Sequence, residues 1–227
     1  MRNFSSWRGR AYAAFDQWHP QAAFKSFRQA PDWISFWVTA PRDTRGYCCC
    51  GYLADKISDF LGNEFLGKKI KYVFQSKKEG TFAALKICES YLEEENFLLL
   101  YSDDLVSPKS LSRCVESRNL CVLLAAVDDP KHFGVAVLDP DGTIREIEEK
   151  PEKPKSNLVN CGPAVLNKKI LEFPPPKHPN GEYYITDAMN LMIKAGYKFY
   201  GIIADWWLPI GYPEDLKKAE EFLKRSH

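Results

Sequence analysis

The sequence predicts an α/β protein, a three-layer fold with a mostly parallel central sheet and an inserted β-hairpin. Three observations lead there. Short helix and strand signals alternate from Gly51 onward. The runs NFLLLY (96–101) and LCVLLAAV (120–127) are continuously apolar, as strands buried on both faces are. Asp139-Pro140-Asp141-Gly142 separates two apolar runs. Pro fixes φ and Gly accepts positive φ, so this reads as a hairpin.

The elements follow in order. Residues 53–61 read as a short helix and 69–75 (KIKYVFQ) as a strand. Residues 81–94 read as a helix with Thr81 as its N-cap and Ala84, Leu85, Cys88, Tyr91 and Leu92 on one face. After NFLLLY and its terminal Ser102-Asp103-Asp104, Ser107-Pro108 opens another helix, with Ser as cap and Pro at the first helical position. The hairpin joins 134–138 to 143–148. A strand over 161–166, a helix over 184–194, a strand over 197–203 and a C-terminal helix over 213–224 complete the chain. Sheets of this kind bind ligands at the carboxyl ends of their strands. That makes Gln75, Asp103 and Gly134 candidate site positions.

The composition excludes several classes of function. A net charge of +1 over 227 residues gives no field to attract nucleic acid or an anionic membrane. No apolar run approaches the roughly 18–20 residues that span a bilayer, and Arg2 is followed by no apolar segment of the kind a signal peptide needs. These points favour a cytoplasmic protein with neither nucleic-acid nor membrane partners. The seven cysteines are an odd number without regular spacing, which argues against a disulfide framework.

The composition also changes along the chain. Residues 1–50 hold no Leu and no Glu, whereas residues 51–227 hold 21 Leu and 16 Glu. Four of the six Trp fall in the first 37 residues, which a disordered arm would not carry. The break falls at Cys50/Gly51, directly after Cys48-Cys49-Cys50. The expected organisation is an aberrant segment over 1–50 and one domain over 51–227.

Seven pieces of that domain occur in a recognisable order: GYLADKI (51–57), QSKKEGTFAAL (75–85), LLLYSDDL (98–105), FGVAVLDPDGTIREIEEKP (133–151), SNLVNCGPAVL (156–166), GEYYITDAM (181–189) and WLPIGYPEDL (207–216). Together they resemble the sugar-1-phosphate nucleotidyltransferases. The resemblance implies a Rossmann-like fold and one reaction. A nucleoside triphosphate and a sugar 1-phosphate give a nucleoside-diphosphate sugar and pyrophosphate, with Mg²⁺ as cofactor. A non-catalytic sugar-nucleotide-binding homologue is the alternative. Self-association into a homo-oligomer is left open.

Carried over by position, Gln75, Gly80 and Thr81 fall in the nucleotide-binding stretch, with Gln75 and Gly80 on the base. Gln offers a donor and an acceptor, and Gly permits close backbone approach. Asp103 resembles the Mg²⁺ ligand, a hard carboxylate for a hard cation. Gly134 resembles the sugar-contacting glycine. Glu149 and Lys150 resemble a Glu-Lys-Pro element, with Glu on sugar hydroxyls and Lys as the catalytic group near the sugar phosphate. Asn160 and Gly162 fall where the family lines its sugar pocket. Taken alone, Asp103-Asp104 reads equally as a solvated turn, Glu149-Lys150 as a charged strand end, Gly80 as a helix-entry turn, and Asn160 as a loop residue bonding its own backbone.

Two positions depart from the pattern. Ser102 stands where the family has Gly. Pro209 stands where it has the Asp that supplies a second metal contact, with Asp205 nearby but out of register. A larger departure is the missing triphosphate loop, G-x-G-x-R-x-x-P-L-T followed by P-K-P-L, of which residues 1–50 contain nothing. The first strand of the sheet is expected to be missing with it, and this polypeptide is expected to be inactive or badly folded. Back-translation shifted by one nucleotide permits Leu-Thr-Asn-Gly-Thr-Pro-Lys-Pro-Leu over residues 15–24 and Val-Ile-Val-Val-Val over residues 46–50. The cysteine triplet therefore reads as a Val-type strand in a shifted frame rather than as a zinc or redox site. Resequencing the first fifty codons from source DNA is expected to reveal one inserted or deleted base near the start and a compensating one near codon 50; an unchanged sequence would mean the loop is truly absent.

Overall fold

The computed structural model describes residues 36–39, 45–51, 54–65, 68–92, 94–101 and 103–225. The frame reading for residues 1–35 and 40–44 lies outside them. The main sheet runs β11 (Phe199–Ile203), β7 (Leu120–Ala126), β10 (Leu158–Asn167), β5 (Asn96–Tyr101), β1 (Phe36–Thr39), β2 (Arg45–Cys50), β4 (Lys68–Phe74), β3 (Glu64–Phe65). The hairpin β8 (Gly134–Leu138) and β9 (Ile144–Glu149) attaches through β10. A second, two-stranded sheet pairs β6 (Asp104–Val106) with β12 (Trp207–Pro209).

The strand directions recover the expected α/β frame, although the pairings are more mixed than a mostly parallel sheet. β2 pairs parallel with β4, and β7 parallel with β11. β1 and β10 are antiparallel to both of their main-path neighbours. It follows that β4, β2, β5, β7 and β11 all run one way. Their carboxyl ends, at Phe74, Cys50, Tyr101, Ala126 and Ile203, share one edge of the sheet.

Alternation along the strands splits the core into two layers. Phe97, Leu99, Val122 and Leu124 face α2 (Thr81–Ile87) and α4 (Ile185–Lys194), where Leu85, Ile185 and Met189 meet them. Leu98, Leu100, Cys121 and Leu123 face the other way, onto Leu111, Cys114 and Val115 of α3 (Pro108–Glu116). The three consecutive cysteines obey the same rule. Cys49 joins the first core with Leu85 and Leu99, while Cys48 and Cys50 pack with Ala54 of α1 (Ala54–Leu61) and Ile70. All three are buried free thiols in a strand interior.

The strand expected directly before Gly51 is present, because Tyr47 and the three small cysteine side chains suit a pleated, doubly buried position. One correction concerns Thr81. Gly80 is the N-cap residue of α2, with φ of 87°, and the helix ends at Ile87 rather than Glu94, followed by a short 3₁₀ turn at Glu89–Tyr91. Ser107 caps α3 as expected, its Oγ accepting from the Ser110 amide at 3.4 Å. The hairpin turns at Gly142 with φ of 81°, and Asp141 Oδ1 accepts from the Thr143 amide. The last helix, α5 (Pro213–Arg225), covers the small sheet through Ala219 and Leu223 against Leu105. Among the described residues no helix is long and apolar enough to cross a membrane.

Candidate functional site

The expected site residues gather beyond the shared carboxyl edge, around a residue the sequence reading passed over. Tyr101 ends β5. Burial, and then the negative charges of Glu149, Asp104 and Asp103, push its phenol far above the ordinary range; a hydrogen bond with Thr81 opposes the shift. The groups that act on this side chain are therefore Thr81, Glu149, Asp103 and Asp104. Gly162 joins them from β10. It has φ of 100°, and a Cβ there would lie 2.5 Å from Tyr101 Cδ2 and 2.7 Å from Asp104 Oδ2. Only glycine fits that approach.

One wall is the turn between β4 and α2. Gln75 Nε2 donates to the Gly80 carbonyl at 3.3 Å, and its Oε1 has no hydrogen-bond partner among the described residues. A Cβ on Gly80 would sit 2.6 Å from the Tyr183 carbonyl oxygen. The two segments are laced together. The Tyr183 amide donates to Glu79 O (2.8 Å), and the Phe82 amide donates to Tyr183 O (2.9 Å). The Ile185 amide donates to Thr81 Oγ1 (2.9 Å). Thr81 therefore serves the start of α4 rather than its own helix.

The opposite wall is the open end of the hairpin. Gly134, at the start of β8 rather than at a strand end, pairs across the ladder with Glu149. A Cβ on Gly134 would lie 3.1 Å from Glu149 Oε2. Thr186 Oγ1 donates to that same oxygen at 2.9 Å. Burial raises the Glu149 pKa above the usual carboxylate range, while the Thr186 hydrogen bond and the Lys150 charge oppose the rise. Asn190 fixes β9 from α4: its Oδ1 accepts from the Ile147 amide at 2.8 Å, and its Nδ2 donates to the Ile147 carbonyl at 2.5 Å. Asn160 Oδ1 accepts from the Gly162 amide at 3.0 Å, so Asn160 does bond its own backbone, and its amide nitrogen has no partner among the described residues.

The acidic end needs separate treatment. Asp103 is solvent-exposed, yet the protein crowding its carboxyl pushes it up to about 6. Burial and the adjacent Asp103 raise Asp104 well above the carboxylate range, and the Trp207 indole N–H, 2.7 Å away, opposes that. Pro209 pairs across from Asp104, and the Ile210 amide donates to Asp103 O at 2.9 Å. Position 209 thus abuts the carboxylate pair but supplies no ligand. Asp205 accepts from Ser107 Oγ and Ser110 Oγ and pairs with Arg113 at 3.2 Å, so its carboxylate is committed to the start of α3. No cluster of three metal-binding side chains occurs among the described residues. Mg²⁺ characteristically takes one or two carboxylates and completes its shell with water and phosphate oxygens. Asp103 fits that limited role.

Tyr101, Tyr184 and Thr186 stand against the candidate residues, and sequence reasoning passed over them. A signal existed for the first: a polar-tipped residue closing an otherwise apolar strand, directly before the acidic pair. The other two lie inside the quoted GEYYITDAM piece, but only the fold brings them against Lys150 and Glu149.

Comparison with known proteins identifies the family and the fold. Residues 49–226 match the family model described as "Nucleotidyl transferase". The chain is 33% identical over 180 residues to the bifunctional protein GlmU of Methanocaldococcus jannaschii, covering 78% of this chain and 42% of that protein. It is 34% identical over 188 residues to the UTP–glucose-1-phosphate uridylyltransferase AglF of Haloferax volcanii, covering 78% and 76%. Among solved structures it is similar to a putative glucose-1-phosphate thymidylyltransferase from Bacillus anthracis, with TM-score 0.65, 28% identity and coverage of 77% and 74%. It shares the fold of a UDP-glucose pyrophosphorylase complexed with UDP-glucose, with TM-score 0.73, 19% identity and coverage of 94% and 87%.

The raised pKa of Asp103 makes a signed prediction. Its folded value, about 6, lies above the ordinary value of 3.8, so the stability it contributes is fully present below about 3.8 and is lost as pH rises through 6. Asp103→Asn is therefore expected to melt higher than the parent at pH 8 and to lose that advantage at pH 4, as followed by circular dichroism. A gain that is independent of pH would contradict this.

Proposed function

The chain belongs to the nucleotidyl transferase family, and from that premise we propose that its site is built for nucleotidyl transfer from a nucleoside triphosphate to a sugar 1-phosphate. The products would be a nucleoside-diphosphate sugar and pyrophosphate. The observation that carries the reading is the convergence on Tyr101 of the base-side turn, the Gly134–Glu149 wall and the acidic pair. AglF, a uridylyltransferase by name that is matched over most of its length, makes UTP and glucose 1-phosphate the first substrates to try.

Each residue then has a physical task. Gln75 presents its open carbonyl to a base edge, and Gly80 lets that base lie against the backbone. Glu149 has one oxygen held by Thr186 and offers the other to sugar hydroxyls. The free amide of Asn160 donates to the same ring. Lys150 holds the sugar phosphate for in-line attack on the α-phosphorus, which is positioning and charge neutralisation rather than covalent chemistry. Asp103 would hold a divalent cation, which supplies charge neutralisation on the phosphates when bound. A cytoplasmic setting suits these substrates.

A second reading, a sugar-nucleotide-binding homologue without turnover, draws on two observations. Pro209 contributes no ligand beside Asp104. The central position between β2 and β5 is filled by β1 running against them, so its carboxyl end, at Thr39, lies away from the site. A strand in that direction cannot deliver a phosphate loop at its end. With UTP, glucose 1-phosphate and Mg²⁺, pyrophosphate release by this chain is expected to be at least about 100-fold slower than by a version carrying the reframed loop, since each lost transition-state donor alone costs on the order of 100-fold. UDP-glucose binding by both versions with no pyrophosphate from either would favour the second reading.

A further inference from the structure

Both charged groups at the end of β9 are served by one short segment. Thr186 holds Glu149, and two residues earlier Tyr184 meets Lys150. Lys150 adopts φ of 46°, a left-handed conformation disfavoured for any residue with a Cβ, and such outliers concentrate where geometry matters to function. The Lys150 ammonium makes no hydrogen bond or ion pair with any described residue. It lies over the Tyr184 ring, 5.7 Å from the centroid, within the range of a cation–π contact.

The ring itself is held on several sides. Tyr184 is 8% exposed. Its hydroxyl donates to Glu182 Oε2 at 2.5 Å and accepts from Asn180 Nδ2 at 2.6 Å. His178 packs edge-on against it, with centroids 4.7 Å apart, and His178 Nε2 lies 2.7 Å from Asp187 Oδ2 on α4. An unpaired lysine on a mobile stem would lose most of its time to unproductive rotamers. A fixed aromatic face restricts it without neutralising it, so the charge stays available to an anion.

We propose that Tyr184 is a positioning residue for Lys150: its immobilised ring holds the ammonium where the sugar phosphate binds. This rests on the role given to Lys150 above. The test is calorimetric titration of UDP-glucose into the full chain and its variants. Tyr184→Leu is expected to weaken binding roughly fivefold, the equivalent of a partly desolvated cation–π contact. Tyr184→Phe, which keeps the ring, should recover most of the affinity. In a Lys150→Ala background, Tyr184→Leu should have no further effect; an undiminished fivefold loss there overturns the proposal. Should Tyr184→Leu fail to fold, the double variant Asn180→Ala/Glu182→Ala frees the ring from the surface side and is expected to weaken binding in the same direction. If the parent chain binds no UDP-glucose, the functional reading fails separately. The proposal is then decided on the unliganded chain by the ¹³Cε signal of Lys150. That signal should be displaced by the ring in the parent and in Tyr184→Phe and should relax in the variant that removes or frees the ring. A signal that does not move contradicts the positioning role.

Discussion

Three hydrogen bonds between residues 79–82 and 183–185 hold this site together. They join segments about a hundred positions apart in sequence, and everything on either wall depends on them. On one side they press the Tyr183 backbone against Gly80, which closes the turn after β4. On the other they fix the first turn of α4, whose Thr186 and Tyr184 reach Glu149 and Lys150. Each bond alone contributes about 1 kcal/mol. Their value lies in geometry, because a shift of one segment displaces both walls at once.

Much of the frame was legible because it follows from periodicity. The continuous apolar runs became β5 and β7, each buried on both faces. Ser107-Pro108 became a capped helix start, and Pro-Asp-Gly became the hairpin turn. What escaped depends on tertiary contact. Thr81 has the chemistry of an N-cap, yet Ile185 claims its hydroxyl, and no local pattern reveals that competitor. The length of α2 was overread because the apolar spacing continues past Ile87 while the backbone tightens into a 3₁₀ turn. The short strands β6 and β12 carry too few residues to show a period.

The cysteine triplet illustrates how tolerant a buried strand is. A seam in composition falls at Cys50, yet the structure builds a regular parallel pairing with β4 through all three cysteines. Cysteine behaves there as a small hydrophobe, and alternation distributes the three across both cores. The neighbouring strand β1 fills the central position with the reverse polarity. A sheet accepts either direction at similar energy, since backbone pairing is satisfied both ways. Function is more particular, because a loop that follows a strand reaches the site only when that strand's carboxyl end lies there.

The central claim is that the site around Tyr101 accepts a nucleoside-diphosphate sugar in one orientation. A crystal structure of the chain soaked with UDP-glucose tests it most directly. The account predicts uracil against Gln75 and Gly80, the glucose ring between Gly134, Glu149 and Asn160, and the β-phosphate at Lys150. Density for the sugar nucleotide elsewhere, or at this site with the sugar at Gln75, would contradict it.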